Sequence, residues 1–261
     1  EALERAATIA EEGWALSERR HADLLSSLDR INSDPETVAT FLVDGQPPPL
    51  YSIIRNPGLA QALRLIQEQG AEAIVSKVQA GGGVMTLEDL AEFQPEWVEP
   101  VTTNYRGYNV HQLPPPGQGF AALQMLNLLE VCAPVHDVRL AELGPANPDY
   151  WHFMVEAKKI AYSDLLAYNA DPDFVDIPLD RLLSKSYAAD QCERIDMDSA
   201  TPPATTGGLD GGTIYMSTAD RWGNMVSLVH SVFSVYGSGA TVAPYGFILH
   251  NRGSGFSLVE G

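Results

Sequence analysis

The sequence contains few cysteines, and its histidines are not arranged in a metal-binding pattern. Its two cysteines, Cys132 and Cys192, each lie in a helical pattern, and neither belongs to a CxxC motif. The sequence therefore supports neither a disulfide framework nor a zinc site. The six histidines are scattered, with no HExxH or similar pairing. We expect neither a bound metal nor a cofactor.

Cationic side chains and long apolar runs are also scarce. Sixteen basic residues against 34 acidic ones give a formal net charge of −18, which argues against nucleic acid as a partner because phosphate backbones would be repelled. No window approaches the roughly 18 apolar residues of a membrane span, so none is expected in this chain. Residues 1–20 are acidic and amphipathic, unlike a basic-then-apolar leader. The compartment stays open between periplasmic or extracellular and cytoplasmic.

The chain does contain helical periodicity over most of its first 198 residues. Asn56-Pro57 and Asn147-Pro148 each combine an N-cap with proline at the first helical position. Thr86 with Asp89 resembles a capping box for a further short helix. Gly70 is predicted to end the helix that starts at Asn56-Pro57. The apolar positions at helical spacing are Leu59, Leu63 and Ile66; Ala122, Met125 and Leu129; and Met154, Ala157, Ala161, Leu165 and Tyr168.

Strand-like composition follows a loop. Residues 201–212 are small, polar and glycine-rich, and we predict a mobile surface loop there. Residues 213–220 and 224–235 are rich in β-branched and aromatic side chains, and a third strand is predicted around residues 247–250. Helices followed by antiparallel strands indicate an α+β layered domain.

The first two strands have a predictable register. Three residues between Asp220 and Asn224 suit a hairpin loop in which Gly223 takes the left-handed conformation. With this loop length, Thr213 faces Ser231 across the ladder, where the two hydroxyls can share a hydrogen bond. A one-residue slip or a bulge would break the pairing.

The Gly212–Thr213 bond is a candidate site of self-cleavage. The Thr213 hydroxyl can attack the preceding carbonyl, and water then opens the ester. The new α-amino group has an ordinary pKa near ~8, so nucleophile and base would lie in one residue. The alternative is that Gly-Gly-Thr is simply a loop entering a strand, and that Ser231 is an ordinary strand serine.

Several motifs together resemble the γ-glutamyltransferase family. From Gly211 to Leu258 the sequence is similar to the start of that family's small subunit, with Gly-Asn after the first strand, Tyr-Gly-Ser-Gly, Gly-Phe-Ile-Leu-His-Asn and Phe-Ser in order. Upstream, Arg55–Leu63, Tyr105–Glu130 and Asp171–Ala188 are similar to characteristic stretches of the large subunit. The resemblance covers nearly the whole chain.

The resemblance implies a fold, an activity and two subunits from one precursor. Members are N-terminal nucleophile hydrolases, four-layer αββα sandwiches that transfer γ-glutamyl groups from compounds such as glutathione to water or an amine. Residues 1–212 would be the C-terminal part of the large-subunit region, and residues 213–261 the start of the small-subunit region, within one structural domain. The family's oxyanion-hole and donor-carboxylate segments have no counterpart here. We therefore expect a fold incomplete at both ends and a chain inactive by itself.

At the positions of the family's site, some residues of this sequence agree with the family pattern and others differ from it. Thr213 matches the nucleophile, and Ser231 stands where the family usually has a supporting threonine. Phe233 replaces an asparagine, and Gly255 replaces an aspartate that holds the substrate's α-amino group. The remaining candidate substrate-binding positions are Asn251 and Arg252, the latter in place of glutamine or glutamate.

Two alternatives follow from these departures. A guanidinium at residue 252 could hold a carboxylate, which would favour a glutaryl-type amide, as in the related cephalosporin acylases. Against this, Arg252 could be an ordinary solvated arginine. The second alternative is a non-catalytic relic that keeps the fold and binds without cutting.

Overall fold

The computed structural model describes residues 2–65, 70–202 and 213–255. Its contacts divide the chain into two compact units, one from residues 1–94 and 208–261 and the other from residues 95–207. The structure is mixed helix and sheet, and the strands in the described ranges pair as four two-stranded antiparallel sheets. The predicted division into residues 1–212 and 213–261 within one structural domain stays a prediction.

The first unit combines the N-terminal helices with the strands after residue 212. The helices pack around small apolar clusters rather than one large core. Its elements are α1 (Ala2–Glu12), β1 (Trp14–Ala15), α2 (Glu18–Ser26), α3 (Leu28–Ile31), α4 (Pro35–Phe41), β2 (Ile53–Ile54), α5 (Pro57–Leu65), α6 (Gly70–Ala80), α7 (Leu87–Glu92), β5 (Thr213–Ala219), β6 (Met225–Ser231), β7 (Thr241–Val242), β8 (Phe247–Ile248) and a 3-10 turn, Arg252–Gly255.

The second unit has the larger core. Long helices meet over buried side chains such as Phe120, Leu128, Phe153 and Ala157. Its elements are β3 (Val101–Tyr105), β4 (Tyr108–Gln112), α8 (Gly119–Cys132), α9 (Leu140–Leu143), α10 (Pro148–Tyr168), α11 (Leu179–Leu182), α12 (Lys185–Gln191) and a 3-10 turn, Cys192–Arg194.

Local sequence signals account for several helix starts. The Asn147 side chain caps α10, with Pro148 at the first helical position. Thr86 and Asp89 form the predicted capping box of α7. Among the predicted apolar positions of α10, Ala157, Ala161 and Leu165 are buried. These predictions are confirmed because each depends on contacts within one helical turn or along one helix face.

Other expectations for the helical region are wrong. Gly70 does not end a helix but begins α6, and Ile66 lies outside the described residues. In α8, Ala122 is exposed while Leu123 and Leu128 are buried, since this helix carries apolar side chains on most of its sides. The hairpin of β3 and β4 interrupts a region expected to be mainly helical.

The two cysteines form a disulfide, which corrects the expectation from their spacing. Cys132 at the end of α8 is joined to Cys192 at the start of the 3-10 turn after α12. The residues are 60 positions apart in sequence, so only the packing of α8 against α12 brings them together. Both side chains are buried in the core of the second unit.

Candidate active site

The β5–β6 hairpin has the register predicted from its loop. Asp220 and Asn224 close three residues, and Gly223 has a φ of +88°. The Asp220 carboxylate accepts hydrogen bonds from the Asn224 side chain and from the backbone of Trp222 and Asn224, and these donors lower its pKa. The turn thus fixes the alignment of both strands.

Thr213 and Ser231 meet at the open end of this hairpin. They are paired residues in the ladder, and their hydroxyl oxygens are 2.8 Å apart. Either oxygen can be the donor, so a proton can be shared between the two side chains. Gly212, the other half of the predicted cleavage site, lies outside the described residues.

Phe233 supports Ser231 through its backbone. Its N–H donates to Ser231 Oγ over 2.8 Å. Phe233 has a φ of +72°, an unfavourable conformation for a bulky residue. This backbone conformation follows the end of β6 at Ser231, earlier than the predicted end at residue 235. The Ser231 oxygen is consequently held between the Thr213 hydroxyl and the Phe233 amide.

Asn251 makes hydrogen bonds to the turn of residues 232–234, which contains Phe233. Its Oδ1 accepts from the Ser234 backbone N–H at 3.1 Å, and its Nδ2 donates to Ser234 Oγ at 3.2 Å. Its own N–H donates to Val232 O at 3.3 Å. Asn251 was singled out as a substrate-binding candidate, and these contacts make it a support of the 232–234 turn. Nothing in the sequence pointed to Ser234 as its partner.

Arg252 lies over the ring of Phe233. Its guanidinium carbon is 4.1 Å from the ring centroid, a cation–π contact. Within the described residues, no carboxylate pairs with Arg252. Gly255 lies in the same 3-10 turn, and a Cβ placed there would meet no heavy atom of the described residues within 4 Å.

The structure therefore brings the candidate residues into one connected set. Hydrogen bonds link Thr213 to Ser231 and Ser231 to Phe233, and the ring of Phe233 contacts Arg252. The remaining candidates are Asn251, which braces the turn, and Gly255, which shares the turn of Arg252. The roles predicted for these residues stay predictions.

Two further features of the described residues concern clusters that could hold a metal ion and helices that could span a membrane. No three His, Cys, Asp or Glu side chains lie close enough there to hold a metal ion. None of the helices in those ranges combines the length and the hydropathy that crossing a membrane requires.

Comparisons with known proteins place the chain in a family. The family described as Gamma-glutamyltranspeptidase matches residues 1–260. The chain is 35% identical to the Glutathione hydrolase-like YwrD proenzyme of Bacillus subtilis (strain 168), covering 99% of this chain and 49% of that protein. It is 30% identical to the Glutathione hydrolase proenzyme of Escherichia coli (strain K12), covering 97% of this chain and 46% of that protein.

A solved structure agrees with these sequence matches. The crystal structure of cephalosporin acylase from Bacillus halodurans superposes with a TM-score of 0.80 at 32% identity, over 97% of this chain and 47% of that one. The chain therefore belongs to the gamma-glutamyltranspeptidase family. It spans about half the length of the curated relatives it matches.

Proposed function

We propose that the complete protein is an autoprocessing amide hydrolase and acyltransferase whose nucleophile is Thr213. The observation that carries this proposal is the 2.8 Å contact between the Thr213 and Ser231 hydroxyls at the start of β5. The relatives named as proenzymes support a maturation step. The proposed complete fold is the four-layer αββα sandwich of N-terminal nucleophile hydrolases.

Maturation would be a hydrolysis within the chain. The Thr213 hydroxyl adds to the carbonyl carbon of Gly212, and the C–N bond breaks to leave an ester on Thr213 Oγ1 and a free α-amino group. Water hydrolyses the ester, which gives a carboxylate at Gly212 and restores the Thr213 hydroxyl. The hydroxyl proton ends on the departing α-amino nitrogen of Thr213, and Ser231 would help by relaying it, because its Oγ already lies at hydrogen-bonding distance.

Turnover would repeat this chemistry on a substrate amide. The α-amino group of Thr213, with an ordinary pKa near ~8, accepts the hydroxyl proton as the oxygen attacks. An amine leaves with that proton, and the acyl group stays on Thr213 as an ester. Water or a second amine then takes the acyl group. Large and small subunits would both come from the one precursor.

The proposed substrates are γ-glutamyl compounds such as glutathione. The Escherichia coli relative is named a glutathione hydrolase, and this chain keeps the nucleophile and a hydroxyl at residue 231. A gel of the full-length protein under denaturing conditions tests the proposal first. Two products, one beginning at Thr213, are expected; a persistent single band would instead support a non-catalytic relic.

A second candidate is an acylase for glutaryl-type amides. The observation in its favour is Arg252, which is stacked on Phe233 and has no carboxylate partner in the described ranges. Gly255 supplies no side chain for an α-amino group. Rates on γ-glutamyl and glutaryl anilides separate the two candidates, because a strong preference for the γ-glutamyl anilide would remove the second.

A further inference from the structure

Within the first unit, side chains that precede the proposed cleavage site contact a segment that follows it. Four side chains of the N-terminal region contact the segment 235–246, which belongs to the C-terminal product. Arg30 Nη1 donates to Val235 O over 2.7 Å, and Asn56 Nδ2 donates to Gly246 O over 2.6 Å. Between these outer contacts lie Asp34 and Thr37.

The Thr37 hydroxyl lies at the centre of this contact. The side chain is fully buried, and its oxygen is 2.6 Å from Gly239 O and 2.7 Å from Thr241 Oγ1. It is also 2.9 Å from the Asp34 carboxylate. The one proton of this hydroxyl can go to Gly239 O or to the Asp34 carboxylate, and its oxygen can accept the proton of Thr241 Oγ1. Loss of the hydroxyl removes this partner from the buried Gly239 O and Thr241 Oγ1.

Asp34 extends the same network. Its carboxylate accepts the N–H of Thr241 at 3.0 Å and the ammonium of Lys77 at 2.7 Å. It also caps α4 by accepting the N–H of Thr37. One carboxylate therefore joins α4 and α6, which precede the cleavage site, to β7, which follows it.

Near these polar groups, the backbone of α5 also lies against the backbone of the segment before β8. A Cβ at Gly58 would lie 2.2 Å from Pro244 O, so α5 and the segment before β8 approach with no room for a side chain. Apolar packing adds to this: Ala62 shares a buried cluster with Val242 and Tyr245. The two segments thus match in shape as well as in polarity.

We propose that this Asp34–Thr37 network is a principal contact that holds the C-terminal product, from Thr213 onward, to the N-terminal product after cleavage. The inference rests on the proposed function, because it matters only once the chain is cut. In the intact chain the two segments are tethered at high effective concentration, so a weakened contact still forms. Cleavage removes the tether, and the same weakening then appears as dissociation.

The test uses the full-length protein and Thr37→Val, which removes the hydroxyl at nearly constant volume. Thr40→Val on the same helix is the matched control, because the Thr40 hydroxyl donates to Glu36 O within α4. Native mass spectrometry over a dilution series gives the dissociation constant of the matured products. Thr37→Val is expected to raise it about tenfold or more, whereas Thr40→Val stays near wild type and Thr37→Ser restores tight association.

Uncut protein separates this role from a general structural one. Thr213→Ala chains carrying Thr37→Val should still fold and keep the two segments together, because the tether remains even though the buried hydrogen bonds are lost. A recognition site for an added protease, placed among residues 203–211 of the Thr213→Ala chain, makes the cut without self-cleavage. Equal dissociation constants for Thr37→Val and Thr40→Val after that cut would overturn the proposal, as would an uncut Thr37→Val chain that no longer folds. Failure of wild type to cleave itself would instead count against the proposed function alone.

Discussion

Ser231 contacts the proposed nucleophile, Thr213, and one neighbouring backbone group. Its oxygen contacts the Thr213 hydroxyl and accepts the Phe233 N–H. Ser231→Ala leaves both without this partner, and the expected loss of about 1–3 kcal/mol corresponds to roughly 5- to 150-fold slower cleavage. Ser231→Thr, which keeps a hydroxyl, should cleave near the wild-type rate. Cleavage time courses on gels provide the measurement, and an unslowed Ser231→Ala would contradict the role given to this contact.

Gly255 offers a gain-of-function test of substrate choice. Among residues 2–65, 70–202 and 213–255, no heavy atom lies within 4 Å of a Cβ placed at Gly255 or at Gly253 in the same turn. Gly255→Asp should raise the ratio of kcat/KM for γ-glutamyl over glutaryl anilides by roughly 10- to 100-fold, because a carboxylate would pair with the α-amino group. Gly253→Asp is the matched control for added charge. Identical ratios in the two variants would show that residue 255 does not face the substrate.

At the scale of elements, the disulfide between α8 and the turn after α12 is expected to dominate the stability of the second unit. It closes a loop of 60 residues, for which the chain-entropy estimate is about 4 kcal/mol. Cys132→Ala/Cys192→Ala should lower the free energy of unfolding by about 2–5 kcal/mol. Urea titration of this variant and of oxidised wild type measures the difference. Equal midpoints under oxidising conditions would contradict the prediction.

Features that depend on neighbouring residues could be predicted from the sequence, whereas long-range contacts could not. The register of Thr213 with Ser231 followed from the length of one turn, and the capping of α7 and α10 followed from residues within one helical turn. Each depends on neighbours in sequence. The hairpin of β3 and β4 also has a local signal in the sequence, Gly107, whose φ of +87° in the turn favours glycine, although a mainly helical region is predicted there.

Contacts between segments that are far apart in the chain have no comparable signal in the sequence. The pairing of Cys132 with Cys192 arises from helix packing, and the use of Asn251 to hold Ser234 arises from the meeting of two loops. Phe233 in a left-handed conformation contradicts its local preference. Surrounding contacts therefore have to impose it, and a single sequence does not reveal them.

For the whole molecule, acid should weaken the fold through carboxylates that are paired when folded. Burial alone would raise the pKa of Glu156, but hydrogen bonds from Lys159 and Thr201 outweigh it and hold the pKa below the usual 4.5. Such a group stabilises the fold above its unfolded pKa and loses that contribution as the pH falls through its folded pKa.

Glu156→Gln tests this dependence. The wild type should exceed the variant in free energy of unfolding at neutral pH, and the difference should shrink as the pH falls below about 4.5. Glu142→Gln is the control, because Glu142 pairs with Arg139 at an exposed site where little stability is at stake. Urea titrations over a pH series measure both variants. A difference that persists unchanged in acid would rule out the assigned cause.

Intact-mass measurement of the full-length protein tests the central claim most directly, with Thr213→Ala and Thr213→Ser beside the wild type. Wild type should yield two polypeptides, the second beginning at Thr213, and should hydrolyse a γ-glutamyl or glutaryl anilide. Thr213→Ser, which keeps a hydroxyl, should mature more slowly, and Thr213→Ala should stay one chain without activity. A Thr213→Ala protein that matures and turns over amides like the wild type would contradict the account.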